Sequence, residues 1–176
     1  MYIHKDIKPE NILIGLGKDS SLLYLIDYGL SKKFIDKNGI HKEFKDEQAF
    51  VGTDIFSSIN SLKGYEQSRR DDLESALYIG IYFCLGSVPW SKKSIKHDYL
   101  KIAKIKEDFI KNRTTLIPQV LYDLLEYVRG LGFSEEPNYS MISQKLEMAL
   151  VNHAKPLMFT IATKKDCQEK DKLCMK

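Results

Sequence analysis

The sequence of 176 residues has no hydrophobic run long enough to cross a membrane. Its longest apolar stretch, residues 76–85, falls well short of the roughly 20 residues that a membrane-spanning helix needs, so we predict a buried helix there. The net charge of +3 is too small to indicate a nucleic-acid partner. No signal peptide is recognisable at Met1.

Cysteine is also scarce. The three cysteines, Cys84, Cys167 and Cys174, are an odd number, and their spacing fits no zinc-binding pattern. We therefore predict reduced thiols in a cytoplasmic or nuclear protein. The hydrophobic content of 43% is enough to bury one sizeable core, which indicates a single domain.

A short polar loop follows the first apolar residues of the chain. It carries His4, Asp6 and Asn11, with Lys8 between the last two. Phosphoryl transfer needs a carboxylate to accept the proton of the substrate hydroxyl, and a neutral oxygen ligand to hold Mg²⁺ against the phosphates. Asp6 fits the first role and Asn11 the second. The spacing resembles the catalytic loop of protein kinases.

Two apolar runs after this loop, residues 11–14 and 22–26, predict a β-hairpin that ends at Asp27-Tyr28-Gly29. Gly15 and Gly17 lie between the runs, and a hairpin turn accounts for them better than a nucleotide-binding loop, because a third glycine is missing. Such a hairpin would return the chain to the loop and place Asp27 beside Asn11. Asp27 would then supply the second oxygen ligand for Mg²⁺, as in the kinase D-F-G element.

The middle of the chain makes the resemblance more specific. Ser58-Ile59-Asn60 stands where most kinases have Ala-Pro-Glu, and residues 66–75 read EQSRRDDLES. With residues 85–90 and 137–140, these segments resemble the casein kinase I family of serine/threonine protein kinases over residues 2–150.

The resemblance implies transfer of the ATP γ-phosphoryl group to Ser or Thr of protein substrates, with ATP and Mg²⁺ as cofactors. It implies catalytic roles for Asp6, Lys8 and Asn11, cofactor binding by Lys8, Asn11 and Asp27, and metal binding by Asn11 and Asp27. It also implies that Asp72 braces the backbone of the catalytic loop.

Two positions depart from the casein kinase I pattern in a way that bears on substrates. Ile55 stands where the family has an Arg that contacts a phosphate or acidic group of the substrate, and Asp54 adds a negative charge beside it. A second pocket lysine is aligned with Asp98. We therefore expect the preference for pre-phosphorylated substrates to be weakened or absent, because charge-assisted hydrogen bonds contribute about 1.5 to 3 kcal/mol each.

Further elements follow from local patterns. We predict a helix capped by Asp71, with Glu74 three residues on, that ends at Gly86 and is apolar all round. Residues 31–50 read as a long surface loop, and residues 92–113 as a basic, solvated helix face. Pro118 opens an amphipathic helix. Ser140 is predicted to cap another helix whose inward residues are Ile142, Leu146, Ala149 and Leu150.

We expect a mainly α fold, namely a kinase-like C-terminal lobe with a short β-hairpin that carries the catalytic loop and Asp27-Tyr28-Gly29. Residues 1–153 would form this partial kinase domain without an N-terminal lobe, and residues 154–176 a polar tail that we predict to be disordered. Without the second wall of an ATP cleft, we expect the chain alone to be inactive, marginally stable and prone to aggregate.

An alternative is a non-catalytic kinase remnant that binds other proteins through its helical surface and basic patch. A basic binder of nucleic acid or of a membrane surface has little support, because residues 92–113 lack interleaved stacking aromatics.

Overall fold

The computed structural model describes residues 1–152. It contains two small antiparallel sheets and five α-helices and is mostly helical, as expected for a kinase C-terminal lobe. The strands are β1 (Tyr2–Ile3), β2 (Ile12–Ile14), β3 (Leu23–Leu25) and β4 (Lys32–Lys33). The helices are α1 (Ile59–Leu62), α2 (Arg69–Leu85), α3 (Tyr99–Lys111), α4 (Gln119–Gly130) and α5 (Tyr139–Asn152).

The predicted hairpin is confirmed. β2 pairs with β3 in antiparallel register, with Ile12 opposite Leu25 and Ile14 opposite Leu23. Beyond the ladder, the Ile26 N–H donates to the Asn11 carbonyl at 2.9 Å, so the chain returns to the catalytic loop one residue before Asp27. Gly15 is required at the turn, because a Cβ there would lie 2.2 Å from the Asp19 carbonyl oxygen.

The prediction of a surface loop over residues 31–50 is wrong at its start. β4 pairs with β1, with Tyr2 opposite Lys33 and Ile3 opposite Lys32. The next residue, Phe34, is only 6% exposed, and the Arg69 guanidinium lies 4.9 Å from the centre of its ring. Burial of Phe34 therefore holds residues 32–34 against the domain. The sequence does not indicate this packing, because most residues around Phe34 are charged or polar.

Helix α2 begins three residues before the predicted start. Ser68, not Asp71, is the N-cap residue, since its backbone is extended and Arg69 begins the helix. Asp71 lies in the first turn, and its carboxylate accepts a hydrogen bond from the Ser68 N–H at 2.7 Å. The predicted end is confirmed, because Gly86 adopts φ 71°, the left-handed conformation that glycine reaches without strain.

The core lies between α2 and α4, with α3 and α1 packed beside them. Tyr78, Ile81, Leu124 and Leu125 are fully buried there, and burial of each of the three aliphatic side chains is worth roughly 1.5 to 3 kcal/mol. α4 buries the apolar stripe that its sequence predicts, but α2 is not buried on every side. Its Phe83 is 68% exposed, so one apolar face of the helix meets solvent.

Two predictions about α5 are wrong. Ser140 lies inside the helix, and the capping group is Asn138, whose side-chain oxygen accepts from the Met141 N–H at 2.9 Å. Leu150 is 63% exposed rather than inward, whereas Ile142 is buried as predicted. The predicted disordered tail, residues 154–176, lies outside the described residues. Among residues 1–152, no helix is both long and apolar enough to span a membrane.

Candidate active site

The loop at residues 4–11, which resembles the kinase catalytic loop and is called by that name below, is held to α2 by one carboxylate. The Asp72 side chain accepts hydrogen bonds from the backbone N–H groups of His4 at 2.6 Å and Lys5 at 2.9 Å. Lys5 adopts φ 71°, a strained conformation for a residue with a side chain, at the point where both amides meet the carboxylate. Burial raises the pKa of Asp72, and the two amide hydrogen bonds oppose that shift. The contact implied by the resemblance is therefore present.

His4 ties the loop to the end of the hairpin. The Asp6 N–H donates to His4 Nδ1 at 3.3 Å, so Nδ1 must accept, and the ring hydrogen belongs on Nε2. Nε2 lies 2.9 Å from the Ile26 carbonyl oxygen, to which it donates. The ring also packs edge-on against Tyr28, 5.2 Å between centres. One buried side chain thus connects the residue before Asp27 with the backbone of Asp6.

Both oxygens of the Asp6 carboxylate are held, and the residue is 9% exposed. Oδ1 accepts from the Thr53 hydroxyl at 2.9 Å. Oδ2 lies 2.6 Å from the Lys8 ammonium and 3.3 Å from the Asn11 amide nitrogen. Asp6, Lys8 and Asn11, which the sequence analysis selected, therefore lie together around one carboxylate.

Asn11 ends the short turn Pro9–Asn11 and points its amide inward. Its Nδ2 donates to the Asp6 carbonyl at 2.9 Å, which orients the side-chain oxygen away from that bond, and no described residue donates to this oxygen. A free, neutral oxygen in a buried residue is the kind of ligand that Mg²⁺ accepts.

Asp27 carries the fourth selected side chain. It adopts φ 62°, and its Oδ1 accepts from the Gly29 N–H at 3.3 Å, while the residue as a whole is exposed. Its second carboxylate oxygen has no partner among the described residues. The oxygens of Asn11 and Asp27 therefore fit a hard divalent cation in their chemistry, since such cations take carboxylate and amide oxygen ligands.

Thr53 is a site residue that the sequence analysis missed. Its hydroxyl donates to Asp6 and accepts from Lys8 Nζ at 3.2 Å, so it lies between the two charged groups. Gly52 allows this approach, because it adopts φ 106° and a Cβ on it would lie 2.8 Å from the Lys5 carbonyl oxygen. The sequence signal for this role is the Gly52-Thr53 pair, because a glycine next to a hydroxyl residue permits close approach to another backbone segment.

The segment after Thr53 is anchored to α2 by two buried carboxylates. Asp71 accepts from the Ser58 hydroxyl at 2.6 Å, and Glu74 accepts from the Ile59 N–H at 3.0 Å. Burial raises the pKa of Asp71 to about 6, against the opposing hydrogen bonds from Ser58 and Ser68. These bonds fix the start of α1, the helix that follows the Thr53 segment.

The residues linked to substrate preference are Asp54, Ile55 and Asp98. The Asp54 carboxylate accepts from the His97 N–H at 3.4 Å, and Asp98 caps α3 by accepting from the Lys101 N–H at 3.2 Å. Ile55 is half-buried, and its carbonyl accepts from the Trp90 indole at 2.8 Å. The Asp54 carboxylate thus contacts the residue that precedes Asp98 in the chain.

Comparison with models of known protein families gives a match over most of this chain. A family model described as protein kinase domain matches residues 1–148. The match includes the catalytic loop, the hairpin with Asp27, the Gly52-Thr53 segment and helices α1 to α4.

Proposed function

The chain belongs to the protein kinase family, and from that premise we propose that it acts as a serine/threonine protein kinase of the casein kinase I type. The reaction transfers the γ-phosphoryl group of ATP to a Ser or Thr hydroxyl of a protein substrate, with Mg²⁺. The observation that carries phosphoryl transfer is the Asp6 carboxylate, held on both oxygens by Thr53, Lys8 and Asn11. The casein kinase I type and the Ser/Thr specificity rest on the sequence resemblance at residues 58–60 and 66–75.

Asp6 is the group that receives the substrate hydroxyl. Its oxygens are fixed by a hydroxyl, an ammonium and an amide, so little reorganisation is needed when a substrate hydroxyl donates to it. As the hydroxyl oxygen attacks the γ-phosphorus, the bond to the ADP oxygen breaks and the hydroxyl proton moves to Asp6. Such acid–base assistance contributes about 100- to 10,000-fold in rate.

Lys8 can pair with two negative groups, the Asp6 carboxylate and the γ-phosphate. Its ammonium lies 2.6 Å from Asp6 and is partly exposed, so it can also contact the γ-phosphate. Asn11 and Asp27 would hold Mg²⁺ through their side-chain oxygens. Bound Mg²⁺ neutralises phosphate charge during transfer.

Acceptor specificity is tested with three peptides that are identical except for a single Ser, Thr or Tyr. The sequence leads us to expect an inactive chain, whereas the preformed Asp6 site leads us to propose phosphorylation of the Ser and Thr peptides by the full chain. Phosphorylation of the Tyr peptide alone would overturn the serine/threonine assignment.

The pocket chemistry leads us to propose weak or absent preference for primed substrates. Asp54 and Asp98 would repel a phosphate on the substrate, and Ile55 offers it no donor side chain. A phosphoprimed peptide and its unprimed twin should therefore be turned over at similar rates. A tenfold advantage for the primed peptide would contradict this assignment.

A second candidate, a protein-binding module without catalysis, is favoured by one observation. Phe83 on α2 is 68% exposed, and a separate groove between β1 and α2 is lined in part by Tyr2, Ile7, Leu73 and Ala76. Exposed apolar surface of this kind is suited to a protein partner.

Nucleotide binding separates the two candidates. Mg-ATP at about 100 times its Kd should stabilise a kinase by ~2.7 kcal/mol, seen as a rise in Tm. Asp27→Asn should remove most of the rise, whereas Asp46→Asn, at an exposed position whose side chain makes no hydrogen bond, should not. Absence of any rise in the wild-type chain would favour the binding module.

A further inference from the structure

Lys106 is the most deeply buried charged side chain in helix α3. It is 0% exposed, although the basic segment around it was predicted to be a solvated helix face. Its ammonium donates to the carbonyl oxygens of Asp54 at 3.2 Å and Ser57 at 2.6 Å. The nitrogen also lies 4.2 Å from the centre of the Tyr78 ring and 5.4 Å from that of Trp90, which are cation–π distances.

The two carbonyls belong to the turn at residues 53–57. Inside the turn, the Thr53 carbonyl accepts from the N–H groups of Phe56 and Ser57, both at 3.0 Å. Three other carbonyls of the turn, those of Asp54, Ile55 and Ser57, accept hydrogen bonds from outside it. The Trp90 indole donates to the Ile55 carbonyl at 2.8 Å, and Lys106 donates to those of Asp54 and Ser57.

This turn leads directly into the active site. Thr53, its first residue, donates to Asp6 and accepts from Lys8. Gly52 before it lies against the catalytic-loop backbone at Lys5. A shift of the turn would therefore move the hydroxyl that orients the Asp6 carboxylate.

Burial of an ammonium group opposes folding, so a buried lysine indicates that its hydrogen bonds have a specific role. Burial lowers the pKa of Lys106 to about 7, while Glu74 and Asp54 oppose that shift. The Glu74 carboxylate belongs to α2 and the Asp54 carboxylate to the turn. Both favour the charged ammonium and so oppose the effect of burial on its pKa. An apolar side chain here would pack against Tyr78 and Trp90 but would leave the carbonyls of Asp54 and Ser57 without a donor, so the ammonium serves the turn.

We propose that Lys106 is a positioning residue for phosphoryl transfer, which holds the turn at residues 53–57 so that Thr53 stays on Asp6. The inference rests on the proposed kinase function for its catalytic consequence. The structural half, that Lys106 holds the turn, can be measured without any activity.

The first test is amide hydrogen exchange of the full chain. Lys106→Met keeps the length of the side chain and removes its donors, and Lys104→Met is the matched control, since that lysine is exposed on the same helix. We expect protection at Phe56 and Ser57 to fall about tenfold in Lys106→Met, with the α4 amides unchanged and no change in Lys104→Met. Equal loss at the turn and in α4 would mean a general stability role and would overturn the proposal.

If Lys106→Met does not fold, Trp90→Phe probes the same turn. It removes the donor to the Ile55 carbonyl and also shrinks a buried ring, so the same amides should lose protection by about threefold more than the α4 amides do. Unchanged protection at Phe56 and Ser57 in Trp90→Phe would contradict the view that hydrogen bonds from outside the turn hold it in place.

The second test is kinetic and uses a double-mutant cycle with Thr53→Val. In the wild-type background, Lys106→Met should lower kcat by about tenfold or more with little change in the KM for ATP. In the Thr53→Val background, the same change should cost less than about threefold, because the pathway to Asp6 is already broken. Additive losses would overturn the proposal. A wild-type chain without activity would contradict the proposed function, and the exchange pattern would still decide whether Lys106 holds the turn.

Discussion

The catalytic loop and the α2–α4 interior are both shielded from water, yet they are held together by different interactions. In the interior, Leu124 and Leu125 are 0% exposed and pack against other apolar side chains. In the loop, His4, Asp6 and Asn11 are 5% to 9% exposed, and every one of them is held by named hydrogen bonds.

The difference predicts how each region responds to change. Apolar packing depends mainly on volume and tolerates similar hydrophobic side chains. A buried polar group depends on one particular partner, and loss of the partner leaves it unsatisfied. Substitutions in the loop should therefore reduce activity more readily, whereas the interior should accept similar hydrophobic side chains.

The largest effect is expected at the link between the two regions. Asp72→Ala leaves the amides of His4 and Lys5 without their acceptor, each worth about 1.5 to 3 kcal/mol as a charge-assisted hydrogen bond. We expect the free energy of unfolding to fall by about 3 to 6 kcal/mol, measured by urea denaturation. Glu147→Ala, at an exposed position on α5, serves as control. A loss below about 1 kcal/mol in Asp72→Ala would show that the loop does not depend on α2.

The next effect lies in the interior. Leu125→Ala should lower the free energy of unfolding by about 2 to 5 kcal/mol, because it leaves a cavity in a fully buried site. The exposed Leu16, which is 84% exposed, gives the control Leu16→Ala with a change below about 0.5 kcal/mol. Below its Tm, Leu125→Ala should keep its kcat. A selective loss of kcat without loss of stability would contradict the separation of the two regions.

The buried carboxylate of Asp71 gives a pH-dependent prediction. Its pKa is raised by burial from 3.8 to about 6, so between those values the folded state holds a proton that the unfolded state has released. The free energy of unfolding should therefore fall as pH rises from about 4 to 6, by up to about 3 kcal/mol from this group.

Asp71→Asn removes the titrating group and should flatten this part of the curve. The comparison is made by urea denaturation of both proteins at several pH values. Parallel curves for the wild type and Asp71→Asn would show that another group is responsible.

The smallest effect on stability is expected at the exposed face of α2. Phe83→Gln should change the free energy of unfolding by less than about 0.5 kcal/mol, because the side chain is already 68% exposed. It should reduce self-association, measured by light scattering against concentration, since it interrupts an apolar surface. Unchanged light scattering in Phe83→Gln would show that this face of α2 does not mediate self-association of the chain.

Sequence reasoning succeeded where the deciding contacts are local. The separation of Asp6 and Asn11 follows from a short loop, and the hairpin that brings Ile26 to Asn11 follows from two apolar runs and a glycine turn. The apolar stripe of α4 is likewise visible in its spacing alone.

It failed where the partner is distant in the chain. Lys106 lies in a run of lysines, and its acceptors at Asp54 and Ser57 are about 50 residues away, so nothing nearby marks it as buried. These contacts depend on the assembled fold rather than on local propensity. The start of α2 is a different case, because its capping contact between Ser68 and Asp71 is local, and the sequence pattern of Asp71 with Glu74 predicted a later start.

The central claim is that the preformed Asp6 carboxylate accepts the proton of the substrate hydroxyl during phosphoryl transfer. The most direct test is the initial rate of γ-phosphoryl transfer from Mg-ATP to a serine peptide by the wild-type chain, Asp6→Asn and Asp46→Asn. We predict transfer by the wild type and by Asp46→Asn, and a loss of about 100-fold or more in Asp6→Asn. Equal rates in the wild type and Asp6→Asn, or no transfer by the wild type, would contradict the account.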